Sequence, residues 1–179
     1  SGGDSSNTEN SEFYGVNAGI LVTKNSTATI KDTTISTNAK GANAVFSTGE
    51  NSKIYISNST IASTAEGSAR GLDATYGGYI EADNVTITTN GGLCATLATN
   101  GSGSPIIYST GNISIENTSG IANGSQMVVV EGKNTATVKN STLSAAGKGN
   151  RGEADVCGIM IYQSMSGDAS EGTGTLNCT

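Results

Sequence analysis

Cleaving a glycosidic bond takes two carboxyl groups flanking it, and this chain offers Asp73, Glu81 and Asp83 close together, with Glu131 and Asp168 further on. Asp73 and Glu131 both fall in a recurring strand-like phrase, which is expected to bring them to one face. The competing reading is a scatter of solvent-exposed acids, and the rest of the composition favours it. There is no His in the 179 residues, so the commonest general base is missing. Serine and cysteine nucleophiles of the Ser–His and Cys–His kind are excluded with it. Arg70 and Arg151 are the only arginines. No catalytic residue is assigned on these grounds.

Metal chemistry has little to stand on. "SGDASEG" at 166–172 gathers Asp168 and Glu171 in a Gly-rich loop, and oxygen-rich loops can hold calcium. It matches neither an EF-hand nor a Gly-Gly-x-Gly-x-Asp repeat, so a plain turn is the expected reading. Cys94, Cys157 and Cys178 contain no Cys-x-x-Cys pair. A Cys157–Cys178 bond is possible if the two meet on neighbouring turns of a repeat. Buried small side chains are the plainer expectation.

Binding chemistry has more material. Tyrosine offers an apolar face with a polar tip, the combination that sugar rings stack on. Tyr76, Tyr108 and Tyr162 sit in equivalent-looking strand phrases, and Tyr79 follows Tyr76 closely. With Asp73, Asn112, Gln163 and Asp168 as polar neighbours, they are expected to line one side of the molecule. The alternative is that the tyrosines pack at a sheet edge.

The elements that must position these residues are announced by repetition. "IKDTTIST" (30–37), "ISNSTIAST" (56–64) and "ADNVTITTN" (82–90) are near-copies. Aligned on the polar first residue, the phrase recurs at Asp32, Asn58, Asn84, Asn117 and Asn140. An aliphatic residue follows in Ile35, Ile61, Ile87 and Leu143, while the fourth copy, "NTSGI", carries an extra residue before Ile121. A second phrase recurs seven times: "NAGILVT", "NAVFSTG", "LDATYGG", "CATLATN", "PIIYSTG", "MVVVEGK" and "GIMIYQS". Short β-branched strands at a period of 20–30 residues signal a solenoid of stacked coils. About seven coils are expected. The aliphatic residues should stack inward, and the leading Asn or Asp should turn each corner and bond along a ladder. Residues 1–11, "SGGDSSNTENS", are expected to be a flexible segment, with the solenoid over 12–179.

The composition agrees: aromatics at 4% and 25 glycines suit a thin aliphatic core with many turns. A net charge of −6 argues against nucleic-acid binding, which needs a basic face. No apolar run is long enough to span a membrane as a helix. Nine Asn-x-Ser/Thr sequons occur, but the corner phrase itself generates several of them. Thr-x-Thr triplets do not recur at one coil position, which argues against a flat ice-binding array.

Residues 13–176 resemble the right-handed parallel β-helix proteins of the pectate-lyase-like superfamily. Within it they look like secreted, adhesin-like, carbohydrate-binding microbial proteins. The phrases that carry this are "RGLDATYGG" (70–78), "SPIIYSTGNISI" (104–115), "VVEGKN" (129–134) and "IYQSMSGDA" (161–169). The superfamily's hydrolase signatures, paired Asp with Gly-His-Gly, are absent. The resemblance implies an all-β, right-handed parallel β-helix at the cell surface or outside the cell. Its role would be non-enzymatic, binding a glycan or other cell-surface polymer without a cofactor. Two departures stand out. Strand material looks short between "CATLATNGSG" and "SPIIYSTG", and "GTGTLNCT" ends within a coil pattern, where uncovered strand edges would invite end-to-end association into a rod.

Overall fold

A computed structural model describes residues 7–65, 67, 69–91, 95–116, 126–146, 158–163 and 166–179. After helix α1 (Thr8–Tyr14) the chain winds as a solenoid. Its first coil holds β1 (Ile20–Val22), β2 (Thr27–Lys31) and β3 (Thr34–Thr37). The second holds β4 (Val45–Thr48), β5 (Lys53–Ser57) and β6 (Thr60–Ser63). From the third coil on, the last two strands run together. They give β7 (Leu72–Thr75) with β8 (Tyr79–Thr89), β9 (Leu97–Asn100) with β10 (Ile106–Glu116), and β11 (Val128–Glu131) with β12 (Thr135–Ala146). The last coil holds β13 (Ile159–Tyr162) and β14 (Thr175–Cys178).

Among the described residues all strand pairings are parallel. The first sheet stacks β1-β4-β7-β9-β11-β13, and the second stacks β2-β5-β8-β10-β12-β14, with β3 and β6 extending it past the corner. Among the described residues six levels therefore stand where seven were expected. The miscount has a local cause. "CATLATN" and "PIIYSTG" look like two copies of one strand, but β9 and β10 are the first and second strands of a single coil, joined by 101–105. Nothing is short between them.

The core is a set of ladders. Ile20, Val45, Leu72, Leu97, Val128 and Ile159 align in the first sheet. Ala28, Ile54, Ile80, Ile107, Ala136 and Leu176 align in the second. Beyond the corner, Ile35, Ile61, Ile87, Ile113 and Leu143 stack. Ile113, not Ile121, is thus the fourth member; Ile121 lies outside the described residues.

Asp32, Asn58, Asn84 and Asn140 turn the corners, each with a positive φ of 47–52°. Asn and Asp tolerate that left-handed conformation better than other side chains. One ladder rung joins them, Asn84 Nδ2 donating to Asn58 Oδ1 at 2.8 Å. The expected fourth corner, Asn117, also lies outside the described residues, and that coil turns earlier. Register slips at Thr110/Gly111, where Gly111 has φ 122° and faces the Val85 backbone too closely for any side chain.

The hydroxyl after the corner does as much as the Asn. Thr33, Ser59 and Ser141 each donate to the carbonyl two residues back, that of Lys31, Ser57 or Lys139. Ser59 Oγ also accepts Thr33 N–H, and Ser141 Oγ accepts Gly111 N–H, so these hydroxyls tie consecutive coils. This is the physical reason the Asn-Ser/Thr phrase keeps returning.

The segment expected to be flexible is partly folded. Asn7 caps α1 by accepting from Glu9 and Asn10 N–H, and Gly15 closes it in the left-handed conformation. Residues 1–6 lie outside the described residues. A seven-residue helix has little stability of its own. This one lies on the outer face of the first sheet, which completes its loose C-terminal carbonyls. Asn43 donates to Ser11 O, Arg70 and Asn100 to Glu12 O, and Thr48 and Thr75 to Phe13 O. That cover explains why β4, β7 and β9 are buried at every residue, on both faces.

Candidate functional site

The tyrosines expected in one row are divided between two sheets. Tyr76 and Tyr162 belong to the first sheet's side, and Tyr79 and Tyr108 lie on the second sheet. Tyr76 is clasped by α1, stacking on Tyr14 at 5.6 Å and tilting against Phe13 at 6.0 Å. Burial first, then the hydrogen bond and charge of Tyr14, push its hydroxyl up to about 12. Tyr76 therefore holds the helix and is no open platform. Tyr162 sits opposite Glu131 on the last two strands of the first sheet.

Asp73 moves furthest from its expected role. It does share the outer face of the first sheet with Glu131, but both are sealed, at 0% and 4% exposure. Asp73 Oδ2 pairs with Arg70 Nη1 at 2.6 Å, while Oδ1 makes no hydrogen bond. Burial drives its carboxyl up to about 7; Arg70 opposes the rise, and the charges of Glu12 and Glu131 add to it. Burial works against the Arg70 charge as well, but Asp73 and Glu12 more than offset it and push the guanidinium further up. Asp73 is a ligand of Arg70 and cannot meet a glycan in this arrangement.

The remaining expected binding residues are spread out. Asn112 is exposed beyond the corner of β10, opposite Thr86 and Thr142. Gln163 accepts from Gly172 N–H at 3.4 Å. Asp168 is exposed, accepts from Ser166 Oγ, and its charge is felt at Tyr76. Among the described residues no group of three or more His, Cys, Asp or Glu is placed to hold a metal. Cys178 is a free, exposed thiol, and Cys94 and Cys157 lie outside the described residues.

What the geometry does assemble is a face on the second sheet. Strand alternation sends Tyr55, Tyr79 and Tyr108 outward, since Ile54, Ile56, Ile80 and Ile107 take the buried positions between them. Register sets Tyr55, Glu81 and Tyr108 side by side, with Tyr79 next to Ile106 in the adjacent row. The Tyr55 and Tyr79 rings are 5.9 Å apart and inclined at 54°. Tyr79 Oη donates to Glu81 Oε2 at 2.8 Å. Its hydroxyl is pushed up to about 12, first by burial and then by the Glu81 hydrogen bond and charge. It therefore stays a donor at any physiological pH.

Beside these rings lies an open depression of about 220 Å³, lined by Thr29, Lys31, Tyr55, Ile56, Ser57, Glu81 and Asp83. It arises from side-chain size. Ser57 is short and stands between Lys31 and Asp83 in one row, while Tyr55 stands between Thr29 and Glu81 in the next. Ser57 makes the floor and its neighbours the walls.

Tyr55, Lys31 and Ser57 were not among the expected binding residues, although a signal was present. Adding the 26-residue repeat interval to Thr29 reaches Tyr55 and then Glu81.

Residues 1–171 match the family model described as right handed beta helix region. The chain belongs to that family. Its solenoid is thus a right-handed parallel β-helix, as its resemblance implied. Comparison with curated proteins and with solved structures finds no match.

Proposed function

We propose that this β-helix is a non-enzymatic, extracellular adhesin-like module that binds a glycan or other cell-surface polymer on the outer face of its second sheet. The observation that carries the reading is the inclined Tyr55–Tyr79 pair beside a polar cleft. Aromatic faces stack on the apolar faces of sugars, and the flanking carboxylates and hydroxyls accept and donate to their hydroxyl groups. A polymer lying along the solenoid axis meets this face level after level. The non-enzymatic part draws support from Asp73: a neutral-pH proton donor needs a desolvated carboxyl, and this one is sealed beneath α1. The test is retention on a panel of immobilised polysaccharides. Tyr55→Ala with Tyr79→Ala should abolish retention and leave the melting temperature within a few degrees. Unchanged retention would remove the tyrosine face from the reading.

A second reading, end-to-end association, is favoured by β13. Ile159 and Ile161 continue the inward ladders of Val128 and Val130, yet they are 37% and 47% exposed. A second copy laying its β1 and β2 against β13 and β14 would continue those ladders with Ile20, Val22, Ala28 and Ile30, all at inward positions. Light scattering across concentration, with and without reductant, tests it; a monomer throughout would count against it.

A further inference from the structure

Beyond the corner, the outward side of the strands carries a second regular surface, built of hydroxyls instead of rings. Register sets Thr34, Thr60, Thr86, Asn112 and Thr142 side by side on five consecutive levels, all exposed. Two residues further along, Ser36, Ala62, Thr88, Ser114 and Ser144 form a parallel row. The aliphatic stack from Ile35 to Leu143 lies between the rows and points inward, so both rows stand on one packed floor. Neither row contains a charged or aromatic side chain. In the first row no side chain hydrogen-bonds the protein among the described residues. In the second, Thr88 and Ser114 share a bond of 3.0 Å. Exact Thr-x-Thr triplets are too strict a key for this array. Its members read TIS, TIA, TIT, NIS and TLS, starting at 34, 60, 86, 112 and 142. None of these residues lines the depression beside Tyr55.

We propose that this face binds ice. Strand spacing sets the side chains about 4.8 Å apart along each row, and the pleat sets the rows about 6.6 Å apart. Oxygens on the prism face of hexagonal ice repeat at a similar pair of spacings, so waters held on the two rows fall near lattice positions. β-Branching restricts χ1, so the threonines lose little freedom on contact. Each threonine offers a hydroxyl that anchors a water and a methyl around which water closes into cages. Ala62 keeps the methyl, and Asn112 keeps a donor and an acceptor. The charge is complementary as well: ice is a neutral lattice, and a charged side chain in either row would have to be desolvated against it. Size excludes a protein partner. Five strands by two outward positions cover about 300 Å², against about 800 Å² per partner in a standard protein interface. The inference is independent of the glycan reading, which uses other residues on another face.

The experiment measures thermal hysteresis and ice-crystal shape in a nanolitre osmometer, together with adsorption to powdered crystalline cellulose and chitin. Four proteins are compared. T60Y and T86Y each raise a ring above the plane at an interior level of the array. T27Y makes the same change at an exposed threonine of β2, outside both rows. The wild type and T27Y should facet ice crystals and hold them without growth below the melting point. T60Y and T86Y should each lose most of that hysteresis while their urea midpoints stay near wild type. Round, growing crystals with the wild type would overturn the proposal. Undiminished hysteresis in both T60Y and T86Y, or an equal loss in T27Y, would overturn it too. So would adsorption to cellulose or chitin that T60Y and T86Y abolish while the wild type leaves ice unaltered; that result would give the face to a crystalline polysaccharide.

Discussion

Arg70 Nη1 donates to Asp73 Oδ2 at 2.6 Å, and the same guanidinium reaches forward to the carbonyl and carboxylate of Glu12 in α1. One side chain thus joins the helix to the sheet it covers. The arrangement leaves Asp73 without exposure and with one oxygen unbonded, so burial outweighs the ion pair and its carboxyl is raised.

The sign of the pH dependence follows. Asp73 moves from an ordinary 3.8 to about 7 in the folded protein, so between those values the folded state holds a proton that the unfolded state has lost. Its contribution to stability is complete below pH 4 and is lost as pH rises toward and through 7. Glu12, Glu131 and Arg70 are the charges facing it. Melting temperatures of wild type and Asp73→Asn, compared from pH 4 to 8, should differ increasingly in favour of the variant as pH rises. A constant difference would show that Asp73 does not take up that proton. Arg70→Met at neutral pH should cost about 3–5 kcal/mol, because it leaves a buried carboxyl without its partner.

The corners permit a cleaner dissection. Asn58 contributes a left-handed backbone and one rung to Asn84, and the Ser59 hydroxyl contributes one bond between coils, from Thr33 N–H, and one within its own corner, to Ser57 C=O. Asn58→Ala should cost about 1–2 kcal/mol, mostly from placing Cβ in the left-handed region. Asn58→Gly should recover most of that while still lacking the rung. Ser59→Ala should cost about 1 kcal/mol or somewhat more, because Thr33 N–H and Ser57 C=O both lose a partner. Urea midpoints measure all three. An Asn58→Gly variant as weak as Asn58→Ala would place the stabilisation in the rung.

These corners also mark how far the sequence could be read. The 26-residue interval located Ile35, Ile61 and Ile87 and three left-handed corners, because identical backbone geometry demands similar residues at each level. It failed where different chemistry meets the same demand. Gly111 satisfies positive φ without an Asn, so a pattern keyed on Asn slid six residues to Asn117. The tyrosines failed for another reason. Alternation shows which side of its strand a residue takes, but Tyr76 and Tyr108 belong to different sheets, and a phrase likeness cannot tell them apart. Helix α1 was illegible because "TENSEFY" shows no helical period; side chains from 32 to 88 residues away complete its carbonyls. The burial of Asp73 follows from that helix and was hidden with it.

Tyr76 offers the test of whether α1 is held by the sheet's side chains, as its length requires. Its backbone sits at φ 49°, a region an aromatic residue seldom takes, and its ring lies against both Phe13 and Tyr14. Tyr76→Gly relieves the backbone and removes the ring; Tyr76→Phe keeps the ring. If ring packing docks the helix, Tyr76→Gly should speed amide exchange across residues 8–16 by about 10-fold or more, while Tyr76→Phe stays near wild type. Amides in the β8 and β10 ladders should be unaffected in both variants, because the solenoid core does not pass through this contact. Retention of polysaccharide should also be unchanged, since the Tyr55–Tyr79 face belongs to the other sheet. Loss of retention in Tyr76→Gly with β8 exchange intact would instead mean that the glycan surface lies along α1, and would move the binding site from the second sheet to the first.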